Sequence, residues 1–233
     1  MRRIHALTIA CGVLAGTLTA CSGTTSTTSS TNSQASSSTA PRSTTTTTSP
    51  GQPATWTAVW PTTSSATRYR TPQAAARGFA TDYLHMVDPV LSPFQAGDSR
   101  SGEIPIRSTA TGPITTAMVR QLGTDSSWWV LGAATPHIAL TQPTWASTIT
   151  SPVPLAGSCM AFEGTVQVQV REDGNSTPLG KGFVTGGAMG MEPFGDSLTF
   201  TRASTPYGAV VAYATSAADG SVTEATVVRI RFG

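Results

Sequence analysis

The chain has 233 residues, with 14 Lys and Arg against 12 Asp and Glu and only 11% charged positions. Removing Arg2 and Arg3, which belong to the leader described below, leaves 12 basic residues against 12 acidic ones. A neutral chain without a Lys/Arg cluster lacks both the basic footprint of a nucleic-acid binder and the polybasic patch that attracts anionic lipid, so no nucleic-acid partner is expected.

Residues 1–20 read as a secretory signal peptide. Arg2 and Arg3 supply the positive start, and the uncharged stretch from Ala6 to Ala20 is shorter than the ~20 residues a membrane-spanning helix needs. Leu18-Thr19-Ala20 ahead of Cys21 resembles the lipobox of bacterial lipoproteins. That resemblance implies that Cys21 receives a diacylglycerol, becomes the new N-terminus, and holds the chain to the outer side of the cell membrane. One acyl chain binds a bilayer only marginally, whereas two anchor stably. One Lys (Lys181) beside abundant Ala, Gly and Thr suggests a GC-rich genome and, with the lipobox, an actinobacterium.

Residues 21–65 read as a tether. Up to about residue 55 they are dominated by Ser and Thr with scattered Pro, which cannot bury enough surface to offset ordering entropy, so disorder is expected. At roughly 5–6 Å × √n, such a segment spans about 30–35 Å. The threonines at 44–48 suit O-glycosylation, and Trp56 and Trp60 are expected to begin the fold.

Residues 66–142 are expected to form a small α+β domain, a helix plus a curled antiparallel sheet. Thr71-Pro72 is a helix start, and Ala76, Phe79, Ala80, Tyr83, Leu84 and Val87 repeat at helical spacing up to Asp88-Pro89. Strands are predicted at 103–107, 114–122 and 127–134, with Thr124-Asp125-Ser126 turning between the last two. The order of elements and Trp128-Trp129-Val130 resemble cystatin-like and nuclear-transport-factor-like folds. His85, Asp88, Glu103 and His137 are the candidate acid–base residues there, but each also has a helix-end, turn or strand-start explanation.

Residues 143–233 are expected to form an all-β immunoglobulin-like sandwich. Val166, Val168 and Val170 alternate with Gln167, Gln169 and Arg171, and Val228, Ile230 and Phe232 alternate with Arg229 and Arg231, as in sheets with one wet face. Strands are predicted at 153–159, 164–172, 179–185, 197–201, 208–215 and 223–232, separated by turns such as Asp173-Gly174-Asn175 and Asp219-Gly220-Ser221. Ile149-Thr150-Ser151-Pro152, Leu155-Ala156-Gly157, Ala161-Phe162-Glu163-Gly164-Thr165-Val166, Pro193-Phe194 and Ser216-Ala217-Ala218-Asp219-Gly220 follow in order. Together they resemble the immunoglobulin-like domain associated with bacterial spore-germination proteins. The resemblance implies an extracytoplasmic module without assigned catalytic residues. Nothing else in the chain points to a spore-former, so a germination role does not follow from the fold.

Cys11 leaves with the signal and Cys21 takes lipid, so Cys159 has no disulfide partner and reads as a small buried side chain rather than a nucleophile. Glu163 is a candidate ligand-binding carboxylate or a strand-end partner. Asp173, Asn175 and Asp196 lack calcium-loop spacing. Asn175-Ser176-Thr177 is formally a glycosylation sequon, and Met189, Met191 and Phe194 form a possible apolar contact site. No catalytic, cofactor or metal site is assigned. The favoured reading is a lipid-anchored, non-enzymatic binding or structural module of the envelope, whose partner is an envelope protein or a cell-wall polymer. A carrier or sensor of a small hydrophobic ligand in 66–142 is the alternative, and an enzyme using His85, Asp88 or Glu103 is the third.

Overall fold

The computed structural model describes residues 58–233, all within one compact unit. Residues 1–20, expected to be a signal peptide, Cys21, the threonines at 44–48 and Trp56 lie outside the described residues. Packing starts earlier than the tether boundary at 65 anticipated: Ala58 and Val59 are fully buried, and Trp60 exchanges backbone hydrogen bonds of 2.8 Å with Val130.

Helix α1 (Pro72–Gly78) begins as its sequence requires, with Thr71 Oγ1 accepting from Ala74 N at 3.1 Å and Pro72 in the first turn. It widens into a π-helical turn over Phe79–Tyr83, and the chain leaves it at His85, in the left-handed region with φ +59°. Leu84 N and Met86 N donate back to Phe79 O and Ala80 O at 3.0 and 2.9 Å. The expected extension to Asp88 therefore does not form. Met86, 3% exposed, returns to the core, while Val87 is 64% exposed.

Thirteen strands follow among the described residues. They are β1 (Val90–Leu91), β2 (Gln95–Ala96), β3 (Ser101–Arg107), β4 (Thr115–Leu122), β5 (Ser127–Ala134), β6 (Ile138–Gln142) and β7 (Thr148–Ile149), then β8 (Val153–Cys159), β9 (Thr165–Glu172), β10 (Gly180–Thr185), β11 (Glu192–Leu198), β12 (Tyr207–Thr215) and β13 (Val222–Phe232). Ten build one sheet in the order β1-β3-β4-β5-β13-β12-β9-β10, with β2 on β3 and β7 parallel to β13; the other three pair as β11-β8-β6. The fold is thus one short helix packed on a large, mainly antiparallel sheet, with a small second sheet on the opposite face. Strand β11 replaces the run predicted at 197–201. It lies at an edge, where Pro193 removes no interior ladder bond.

The stretches 66–142 and 143–233 share the large sheet, because β13 lies between β5 and β12. The seam is narrow, with two residue pairs, Val227↔Ala133 and Val228↔Gly132. Where β5 peels away, buried threonines complete the backbone hydrogen bonding. Thr115 Oγ1 accepts from Ala225 N at 2.9 Å, Thr226 Oγ1 accepts from Thr135 N at 3.2 Å, and Thr226 Oγ1 donates to Ile138 O at 2.5 Å.

This arrangement overturns one sequence expectation. The alternation along β9 and β13 predicts one wet face, yet Arg229 is fully buried and Arg171 is 9% exposed. Valines of β9 and Ile230 of β13 face the small sheet, as alternation requires. The opposite face of β12 and β13 joins, through Ala209, Val211, Ala225 and Val227, the same apolar cluster as Ala75, Ala76 and Phe79 of the helical segment.

Candidate functional site

An open cleft of about 500 Å³ lies where the segment 60–69, the end of the π-helical turn and the β9–β10 turn converge. The segment is fixed at both ends: Trp60 pairs with Val130, and Trp128 N donates to Tyr69 O at 2.9 Å. Between those pins it brings Trp60 and Tyr69 into a stack, with centroids 5.8 Å apart and planes 25° apart. Tyr83 joins at 6.0 Å from Trp60, and Phe79 supports both from the core at 5.5 Å and 5.3 Å.

Charged side chains support the floor. Arg229 Nη1 donates to Asp173 Oδ1 at 2.8 Å, and Nη2 donates to Asp173 Oδ2, a bidentate pair in which the arginine side chain is fully buried and that of Asp173 is 7% exposed. The buried Tyr83 hydroxyl lies against this guanidinium, and burial, only partly offset by Arg229, raises its pKa. Arg171 donates to Gln169 Oε1 at 2.8 Å and to the Tyr83 carbonyl, and its guanidinium sits 5.3 Å from the Tyr83 ring centroid. Glu172 accepts from Asn175 Nδ2 at 3.0 Å, Ser204 N at 2.6 Å, Ser204 Oγ at 2.9 Å and Thr205 N at 3.2 Å. These donors, Asn175 foremost, lower its pKa. Tyr69 is shifted upward by burial and then by nearby Asp82.

The candidates weighed from sequence do not converge. His85 and Glu103 are exposed; Asp88, at φ +43°, lines a separate surface cavity of about 390 Å³ with Ser108, Asp219 and Thr223. His137 does acquire a partner. Its Nδ1 lies 3.0 Å from Oε2 of Glu224, a buried carboxylate that also accepts from Thr135 Oγ1. Cys159 is a free, fully buried thiol whose pKa burial raises. Among the described residues, no group of three or more His, Cys, Asp and Glu side chains is placed to hold a metal ion. No described helix is long and apolar enough to cross a membrane. The space between α1 and β3–β5 is packed by Phe79, Leu84, Ile104, Ile106 and Val119.

Glu163 is exposed at φ +57° in a 3-10 turn (Phe162–Gly164). The next residue, Gly164, has φ +67°, and a Cβ there would approach Gly186 O at 2.7 Å, so this turn needs glycine. Phe162 is 73% exposed beside it, and Met189 and Met191 are 96% and 42% exposed, whereas Phe194 is buried in the sandwich. Asp173 pairs with Arg229, Asn175 orients Glu172, and Asp196 is exposed on β11.

Sequence reasoning missed the pairing of Arg229 with Asp173 beneath Tyr83, and Glu172 as a residue of the same cleft. The signal for Arg229 was a charge inside the apolar run Val227-Val228-Arg229-Ile230, while nothing local marked Tyr83 or Glu172.

The segment that builds much of the sandwich is similar to known proteins. Residues 137–221 match the family of immunoglobulin-like domains of bacterial spore germination, Gmad2. The match starts at His137, ahead of β6, and stops at Ser221, ahead of β13. It therefore takes in the small sheet with β9, β10 and β12, and leaves out α1, β1–β5 and β13. No curated protein and no solved structure matches the chain.

Proposed function

We propose that this chain is a lipid-anchored, extracytoplasmic lipoprotein that acts as a non-enzymatic binding module of the cell envelope. The observation that carries the reading is Leu18-Thr19-Ala20-Cys21, followed by a Ser/Thr-rich stretch that leads into packed structure at Ala58. The similarity of 137–221 to an immunoglobulin-like domain supports it, because such sandwiches cluster loops at their two ends, where binding surfaces form. The partner is an envelope protein or a cell-wall polymer, since a neutral mature chain has no charge complementarity to nucleic acid or to bare anionic lipid.

Replacing Cys21 with Ser tests the anchor. The variant should move from the membrane fraction to the soluble fraction with its melting transition unchanged, because Cys21 lies far outside the packed residues in sequence. A variant that still sediments with membranes overturns the lipid anchor.

A further inference from the structure

We propose that the cleft between residues 60–69, Tyr83 and the β9–β10 turn binds an uncharged pyranose chain of the kind found in cell-wall glycans; this rests on reading the chain as an envelope binding module. Three aromatic side chains line the cleft; Trp60 and Tyr69, stacked on each other and each partly exposed, present its apolar surface, and Tyr83, held by Phe79 and Arg171, backs them. An aromatic face carries negative charge density and is apolar, so it suits the slightly positive C–H face of a sugar ring. Around the rings stand short polar groups, among them Asp82, Asn175, Ser176 and Thr62, which supply both donors and acceptors for ring hydroxyls.

Charge decides among ligand classes. Of the three carboxylates lining the cleft, Asp173 is neutralised by Arg229, and Glu172 accepts four hydrogen bonds from its own surroundings. Only Asp82 remains at the rim, its one described hydrogen bond coming from Thr81 Oγ1 at 2.7 Å. A floor compensated from within favours a neutral, hydroxyl-rich ligand over a phosphate or a multiply charged cation. The cleft also lies within the roughly 300–1,000 Å³ of small-molecule sites, yet it is open to solvent, which admits a segment of polymer. Its platform is already in place, pinned by backbone bonds at Trp60 and Tyr69, so little ordering opposes binding.

The test is titration of the purified full-length chain with a β-1,4-linked N-acetylglucosamine tetramer and with cellotetraose. It is followed by calorimetry and by the NMR signal of the Trp60 indole N–H, with tetramethylammonium as the cationic probe. At least one saccharide should bind and shift the Trp60 signal. Trp60→Ala should weaken that binding about tenfold or more. Because Trp60 also packs on Phe79, Asp82→Ala at the exposed rim provides a second variant, expected to weaken binding several-fold with an unchanged melting transition. Phe162→Ala, outside the cleft lining, should leave binding intact. No binding by either saccharide, a Trp60 shift with tetramethylammonium alone, or affinity indifferent to both cleft variants overturns the proposal. Fractionation of Cys21→Ser reports on the anchor separately, so a failed anchor with retained saccharide binding leaves the cleft standing.

Discussion

The central strands β12 and β13 are buried on both faces, and the two faces are held by different chemistry. Toward the small sheet, Val210, Ala212 and Ile230 meet an aliphatic interior that includes Val153, Leu155 and Val168. Toward α1, Ala209, Val211, Ala225 and Val227 share their side of the sheet with Arg229, tied to Asp173 and lying against Tyr83. The first face is stabilised by area, at roughly 25 cal/mol per Å² of buried apolar surface, and that energy is non-directional. The second adds to its own apolar cluster a few directional contacts, whose desolvation cost is offset only while both partners stay in place. The difference teaches that the aliphatic face binds the two sheets together, whereas the ionic face dictates where the helix end must sit. That placement gives the cleft its floor.

The comparison breaks most visibly at Arg229. Arg229→Ala leaves Asp173 without its partner in a nearly dry site and should cost about 3–5 kcal/mol in denaturant unfolding. Arg229→Met combined with Asp173→Asn should recover much of that loss, since volume is kept and no charge is stranded. A single substitution that costs under ~1 kcal/mol would show that the ionic face is wetter than its burial implies.

On the aliphatic face the response should be graded rather than all-or-none. Ile230→Ala should cost about 2–5 kcal/mol and Ile230→Val only about 1 kcal/mol, because loss there follows the volume removed. Thr71→Ala removes the cap of α1 and should cost about 1 kcal/mol, read as a lower melting temperature.

The smallest effect is in pH. Glu172 has a folded pKa below the ordinary glutamate value, so its contribution is complete above about pH 4.3 and is lost as pH falls through the folded value. Glu172→Gln should therefore flatten the fall in melting temperature between about pH 5 and pH 2.5 relative to the unmodified chain. An unchanged slope would mean that the four donors to Glu172 do not favour its charged form.

Much of the strand pattern was legible because it is written in local periodicity. The runs predicted at 153–159 and 127–134 coincide with β8 and β5, and the helix start at Thr71-Pro72 with α1. The helix end was not legible: the π-helical turn and left-handed His85 arise from backbone hydrogen bonds five and six residues back, which a 3.6-residue repeat does not encode. The candidate site was barely legible. Trp60 announced itself as a large apolar residue at the edge of a polar stretch, but Tyr83, Arg171 and Arg229 come from separate parts of the chain.

By itself the sequence determined which residues alternate along β9 and β13, where α1 begins, and that its C-terminal part is similar to Gmad2 immunoglobulin-like domains, the match running over 137–221. Only the tertiary structure decided that β13 joins β5 to β12, so that one sheet runs through both halves and the face expected to meet water is buried. The reason is physical. Alternation tells a strand which residues share a face, whereas what covers that face depends on pairing between segments far apart in the chain. Here the two-residue seam at Val227 and Val228, helped by buried threonine hydroxyls, brings the helix over Arg229.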